Sequence, residues 1–261
     1  MDKQIKKLEI FCLVTKSNII MDNEKIVILG GSGSIGSEIA SEVKDNGYMP
    51  YIIGRNVSNL KVISEKLKCP YRSIDVLNTN ALKSCLEEIE GNIIGLAYCV
   101  GSIDIKSISS SEENDYIESY KLNTLGAIHS IKSLLPSLKK NNGSILMFSS
   151  IAVQQGFANH TIISSSKGAI EALTRSLAAE LSPQIRVNCI APSLTDSKMS
   201  KKIVSNENIR KAIESMHPIP KLGAASDYSK LASFLLGKNN KWITGQVIHV
   251  DGGRSTLRKK G

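Results

Sequence analysis

Leu29-Gly30-Gly31-Ser32-Gly33-Ser34-Ile35-Gly36 is the stretch that decides how this chain folds. An apolar run at residues 26–29 precedes it, and a segment with helical spacing at 37–46 follows it. Glycines at 30, 33 and 36 let the backbone turn tightly and come close to a pyrophosphate. The amides and positive dipole end of the following helix then face that charge. Ser32, Ser34 and Ile35 complete the turn, and the Ser34 hydroxyl can add a donor to phosphate. A glycine-rich string alone is a weak signal; its place between a strand and a helix makes it a specific one.

Outward from the turn, short apolar runs recur at 26–29, 51–53, 71–74, 93–99, 144–149, 185–190 and 246–250. Helical stretches lie between them at 37–46, 57–67, 80–88, 115–138, 163–181, 206–214 and 228–236. Continuous apolar character suits strands covered on both faces, and regular alternation with helices implies right-handed crossovers. The expected fold is α/β: a single doubly wound, Rossmann-type, parallel seven-stranded sheet with helices on both faces. Neither a repeat nor a composition break divides the chain. The expected organisation is an extension at 1–24, one domain at 25–253 with a lid at about 196–222, and a basic tail at 254–261.

The second strand runs into Gly54-Arg55, where an acid would read a ribose 2′-hydroxyl. A guanidinium there suits a 2′-phosphate through charge-assisted hydrogen bonds. NADP(H) is therefore expected in preference to NAD(H).

The chain has 261 residues, 41% hydrophobic and 22% charged, enough for a sizeable core. The formal charge is +9, and most of the excess sits on Lys3, Lys6, Lys7 and Lys16 at one end and Arg254, Arg258, Lys259 and Lys260 at the other. Nucleic-acid binding calls for a basic stripe on the folded face, so none is expected. No apolar run reaches the length of a membrane span, and the first residues lack the pattern of a cleaved leader. The five cysteines are scattered without metal or redox spacing, which points to reduced, buried thiols in a cytoplasmic protein. No His/Cys/Asp/Glu cluster has ligand spacing, so no catalytic metal is expected.

Further motifs carry a resemblance to the short-chain dehydrogenase/reductase family over residues 25–253. Asp75-Val76 is similar to that family's adenine-binding pair, Gly101 keeps the last position of its Asn-Asn-Ala-Gly segment, and Asn123 matches its helix asparagine, which holds a proton-relay water. Ile243-Thr244-Gly245-Gln246-Val247 through Asp251-Gly252-Gly253 resembles its final strand. The resemblance implies a nicotinamide cofactor, a small-molecule or acyl substrate, and a homodimer or homotetramer formed by the helices at 115–138 and 163–181.

The family's acid/base is a Tyr four residues before a Lys, with a Ser thirteen before that Tyr. Lys167 and Ser150 stand in place, but the tyrosine position holds Ile163. Lysine fixes the nicotinamide ribose and lowers the pKa of a neighbouring acid; serine polarises a carbonyl. His160, seven residues before Lys167, falls on the same helix face as position 163, and histidine is a residue type suited to proton transfer. The enoyl-acyl-carrier-protein reductase branch places its tyrosine at that offset. Pro192-Ser193-Leu194-Thr195 also resembles that branch, whose threonine touches the nicotinamide end. Tyr116 and Tyr120 are weaker substitutes. Two readings follow: an NADP(H)-dependent oxidoreductase using Ser150, Lys167, Asn123 and His160, or a protein that binds NADP(H) without turnover. Met199, Ile203, Ile209, Ile213 and Met216 give the lid an apolar lining.

Overall fold

The computed structural model describes residues 24–258. The expected extension at 1–23, with Cys12, and the last three residues lie outside them. Glu24, counted with the extension, opens the first strand instead, because its backbone pairs with Asn92.

Seven strands form one parallel sheet: β1 (Glu24–Leu29), β2 (Met49–Gly54), β3 (Tyr71–Ser73), β4 (Asn92–Tyr98), β5 (Ser144–Phe148), β6 (Arg186–Pro192) and β7 (Val247–Val250). Their order is β3-β2-β1-β4-β5-β6-β7, so the direction of winding reverses between β1 and β4. Ligands of such sheets bind at that switch, beyond the carboxyl ends of the strands.

Helices α1 (Ser34–Asp45), α2 (Val57–Leu67), α3 (Thr79–Glu87), α4 (Glu113–Tyr120), α5 (Gly126–Lys140), α6 (Thr161–Leu181), α7 (Glu207–Ser215) and α8 (Ser226–Leu236) complete the fold. Alternate side chains of each strand feed two cores. Val27 and Leu29 of β1 pack with α3, α5 and α6, through residues such as Leu86, Leu134 and Ile170. Ile26 and Ile28 pack on the other face with Ile39 of α1, Leu60 of α2 and Leu235 of α8. Burial on both faces is why these strands read as unbroken apolar runs.

The helix expected at 115–138 runs on from 113 to 140, but it carries a π-helical turn at Lys121–Leu125 that separates α4 from α5. The Gly126 amide reaches back to the Lys121 carbonyl, so the Leu122 carbonyl is free to accept 2.6 Å from Tyr98 Oη. A Cβ at Gly126 would lie 2.1 Å from that hydroxyl. The π turn is thus built around a tertiary hydrogen bond that only glycine at 126 permits, and such turns recur at functional sites.

Candidate active site

The Gly30–Gly36 turn leaves β1 and enters α1. Gly30 has φ +79, and a Cβ there would stand 2.8 Å from the Cys99 backbone. At Gly36 a Cβ would be 2.3 Å from the Gly30 carbonyl oxygen. Gly33 caps α1 without a side-chain hydrogen bond, and no acid occupies its first turn. The amides of Ser34, Ile35 and Gly36 therefore open a cleft with nothing negative before them, the arrangement a pyrophosphate fits. Ser32 serves the turn from beneath: its Oγ lies 2.6 Å from where a Cβ on Gly54 would stand.

Arg55 follows β2 and is well exposed; its Nη1 lies 3.8 Å from Asp75 Oδ2. Asp75 Oδ1 accepts the Leu77 amide at 3.1 Å, and Val76 is buried in the core. These three gather beside the ends of β2 and β3, apart from the residues lining the main cleft.

That cleft has a volume of about 670 Å³. It runs from the glycine turn past the ends of β4, β5 and β6 to the lid. Ser150, His160, Ile163 and Lys167 all line it. Lys167 comes from α6, is 7% exposed, and its Nζ donates to the Phe148 carbonyl at 2.9 Å. Burial pulls its pKa down to about 8, opposed by Cys189 and Cys99. Burial also pushes those two thiols up to about 12.

Asn123 is fully buried in the π turn. Its Nδ2 donates to the Ser119 carbonyl at 2.9 Å and to Ser102 Oγ at 3.1 Å. It stands one layer behind the cleft wall. Gly101 joins it to Lys167: a Cβ at Gly101 would lie 2.9 Å from Asn123 Oδ1 and 3.1 Å from Lys167 Nζ. Glycine here keeps open the space where those two polar groups converge.

Ser150 caps a short 3-10 turn, Ile151–Val153, and its Oγ accepts the Ala152 amide at 3.2 Å. Its hydroxyl hydrogen stays available to a substrate oxygen. Ile163 is 5% exposed, so hydrocarbon forms the wall at that point.

His160 caps α6, and the residue before it, Asn159, has φ +65. Asparagine is among the few side chains that tolerate this conformation. The Asn159 carbonyl accepts the Lys106 amide at 3.0 Å, tying the α6 entry to the loop after β4. His160 Nδ1 lies 2.7 Å from the Ala158 carbonyl, so Nδ1 donates to that carbonyl and Nε2 is the ring nitrogen left for proton exchange. The ring packs edge-on against Phe157, with centroids 5.3 Å apart. Tyr116 and Tyr120 do not reach the cleft. Tyr116 Oη bonds Thr161 at 2.9 Å on the outside of the fold, and Tyr120 is 41% exposed.

Pro192 and Thr195 line the cleft after β6, but the Thr195 hydroxyl is engaged at 2.8 Å with Tyr228. On the lid, Met199, Ile203, Ile213 and Met216 line the cleft. Ile209 points away and is 47% exposed, and α7 as a whole buries no residue. Its end is pinned by His217, whose ring bonds Ser193 Oγ and the Ile213 carbonyl, each at 2.8 Å. The sequence reading passed over Phe157, His217 and Arg254. Arg254, counted with the tail, lies in the cleft with its Cζ 4.8 Å from the Phe157 ring centroid.

The family model described as Enoyl-(Acyl carrier protein) reductase matches residues 30–255. The chain is a member of the short-chain dehydrogenase/reductase family. A 3-oxoacyl-[acyl-carrier-protein] reductase of Bos taurus is 28% identical over 87% of this chain and 95% of its own length. A tropinone reductase homologue of Arabidopsis thaliana is 30% identical over 92% and 93%. Among solved structures, ElxO with NADP bound superposes with a TM-score of 0.83 at 27% identity, covering 91% of this chain and all of that one. A short-chain type dehydrogenase/reductase from Mycobacterium ulcerans gives a TM-score of 0.84 at 26% identity, covering 91% of each chain. These relatives are oxidoreductases, so this short-chain family member is read as one too. Among the described residues, no helix is long and apolar enough to cross a membrane, and no group of three or more His, Cys, Asp or Glu could hold a metal ion.

Proposed function

We propose that the protein is an NADP(H)-dependent oxidoreductase that reduces a carbonyl or an activated double bond of a small or acyl substrate. The observation that carries this reading is the convergence of Lys167 and Asn123 at Gly101, with Ser150 lining the same cleft that opens from the glycine turn. A protein that only held a dinucleotide would have use for Lys167 but not for the other two.

The turn at 30–36 holds the pyrophosphate, Asp75 and Val76 flank the adenine, Arg55 meets the 2′-phosphate, and Pro192 and Thr195 close over the nicotinamide end. The chemistry NADPH supplies when bound is hydride transfer. Lys167 hydrogen-bonds the ribose and places positive charge beside the reacting centre. Ser150 Oγ donates to the substrate oxygen as negative charge grows there. Ile163 cannot transfer a proton, so His160 delivers it from Nε2, its Nδ1 proton being held by the Ala158 carbonyl. Asn123 anchors Ser102 and the water that relays to Lys167. The lid closes the apolar side of the cleft and excludes water. We place the protein in the cytoplasm as a homodimer or homotetramer formed through α4–α5 and α6.

Ile163 also supports a second reading, in which cofactor binds without turnover and the protein acts as a sensor or assembly partner. NADPH oxidation against a panel of ketones, enones and enoyl thioesters separates the two. Turnover is expected in the wild type, a loss of about 10²–10⁴-fold in His160→Ala, and near-complete loss in Lys167→Ala. Tight NADPH binding without turnover on any of the panel would establish the second reading. Full activity in His160→Ala would remove the histidine's role alone.

A further inference from the structure

Every charged side chain lining the main cleft is basic: Lys167, Lys198 and Arg254, with His160 beside them. The pyrophosphate accounts for positive character near the glycine turn. It does not account for Arg254, which stands at the other end, against Phe157 and the lid.

Arg254 is placed there by its backbone. Gly252 and Gly253 have φ +64 and +84, both left-handed. Asp251 accepts the amides of Gly253 at 2.9 Å and Ser255 at 2.8 Å. The chain therefore folds back after β7, and Gln155 Nε2 clamps the Arg254 carbonyl at 2.9 Å. The half-buried guanidinium lies over Phe157 and points Nη2 at Met216 Sδ, 3.4 Å away. A guanidinium carries five N–H donors. Among the described residues, no carboxylate lies within ion-pair distance of this one. Asp251, the acid whose charge acts on Arg254, is committed to backbone amides. A half-buried cation with unspent donors in an apolar cleft costs free energy unless a ligand supplies the anion.

We infer that Arg254 is the specificity-determining residue for a substrate with an apolar chain and an anionic oxygen headgroup. The chain lies along Ile105, Ile151, Met199 and Ile213, and the headgroup meets the guanidinium at the Phe157 end. This rests on the oxidoreductase reading, but it concerns binding and can be tested without turnover.

The test titrates NADPH-loaded protein with octanoate, octyl phosphate and the neutral octanamide by calorimetry. The wild type should bind one of the two anions about 10- to 100-fold more tightly than the amide, the range of a charge-assisted pair. The better anion identifies the headgroup. Arg254→Gln should close the gap while leaving NADPH affinity and octanamide affinity unchanged. Arg254→Lys, which keeps charge and packing but loses the planar fork, should retain part of it. Equal binding of all three probes by the wild type, or a gap that survives Arg254→Gln, would overturn the assignment. So would a gap that disappears in Lys198→Gln instead. If the wild type binds no NADPH, it is the oxidoreductase reading that fails, and the same titration of the protein alone still decides Arg254.

Discussion

Lys167 shows how one residue bears on both the fold and the proposed chemistry. Its ammonium has left water for a pocket whose nearest polar partner is a backbone carbonyl, and its pKa is about 8 against an ordinary 10.5. Between those values the unfolded chain still binds a proton that the folded chain has released. Stability therefore rises with pH from about 8 to 10.5, and the burial penalty is fully present below 8. Linkage sets the span at roughly 3 kcal/mol. Cys99 and Cys189, held up to about 12 by burial, work the other way above pH 9, because the unfolded thiols release protons that the folded ones keep. The test is therefore a difference. Between pH 7 and pH 10 in urea denaturation, the stability change of the wild type should exceed that of Lys167→Met by most of the lysine's span, and equal changes in the two proteins would sink the claim. Lys167, Ser150 and the substitution at Ile163 were legible in the sequence because they sit at fixed spacings along one helix and its preceding strand. Arg254 was not legible. Its place depends on a left-handed glycine pair and an Asp251 cap, and its identity alone reads as tail charge. The Thr195 hydroxyl was similarly hidden, since its partner Tyr228 lies 33 residues away.

At the scale of elements, the π turn between α4 and α5 is where pattern reading fell short. Residues 115–138 carry an unbroken helical period, and nothing local announces the turn. It comes from Tyr98, on a strand, donating to the Leu122 carbonyl. In an ordinary helix, Gly→Ala is worth up to about 1 kcal/mol of stabilisation. At Gly126 the sign should reverse, because the new methyl would overlap Tyr98 Oη. Gly126→Ala is expected to cost about 1–3 kcal/mol, the scale of overpacking. Tyr98→Phe should cost about 1–2 kcal/mol by stranding the carbonyl. The double variant should be more stable than the sum of the two losses, since removing the hydroxyl makes room for the methyl. Additive losses in denaturant melts would contradict the coupling. The turn also carries Asn123, so Gly126→Ala should impair turnover more than its stability loss predicts. By contrast, strands β1, β4, β5 and β6 were legible to within a residue or two, because burial on both faces leaves an apolar run in any context.

At the scale of the whole molecule, the proposed cofactor site spans both halves of the sheet. The turn at 30–36 and Arg55 belong to the β1–β3 half; Ser150, Lys167 and Thr195 belong to the β5–β7 half. A ligand held by both couples their stabilities, and saturation at 100 times Kd adds about 2.7 kcal/mol. NADPH should therefore raise the melting temperature by several degrees in a single cooperative transition, and it should slow hydrogen exchange in residues 196–216, where α7 buries nothing. The size of the effect should depend on the 2′-phosphate. The Arg55–Asp75 pair is exposed and 3.8 Å long, so it contributes little and can be exchanged for a phosphate. NADPH should then stabilise the wild type more than NADH at equal concentration. In Arg55→Ala the NADPH shift should fall to the NADH level, while the NADH shift stays where it was. A preference for NADPH that survives Arg55→Ala would move recognition of the 2′-phosphate to another group. An equal response of the wild type to both nucleotides would show that the arginine after β2 is a surface charge and that the glycine turn alone sets cofactor affinity.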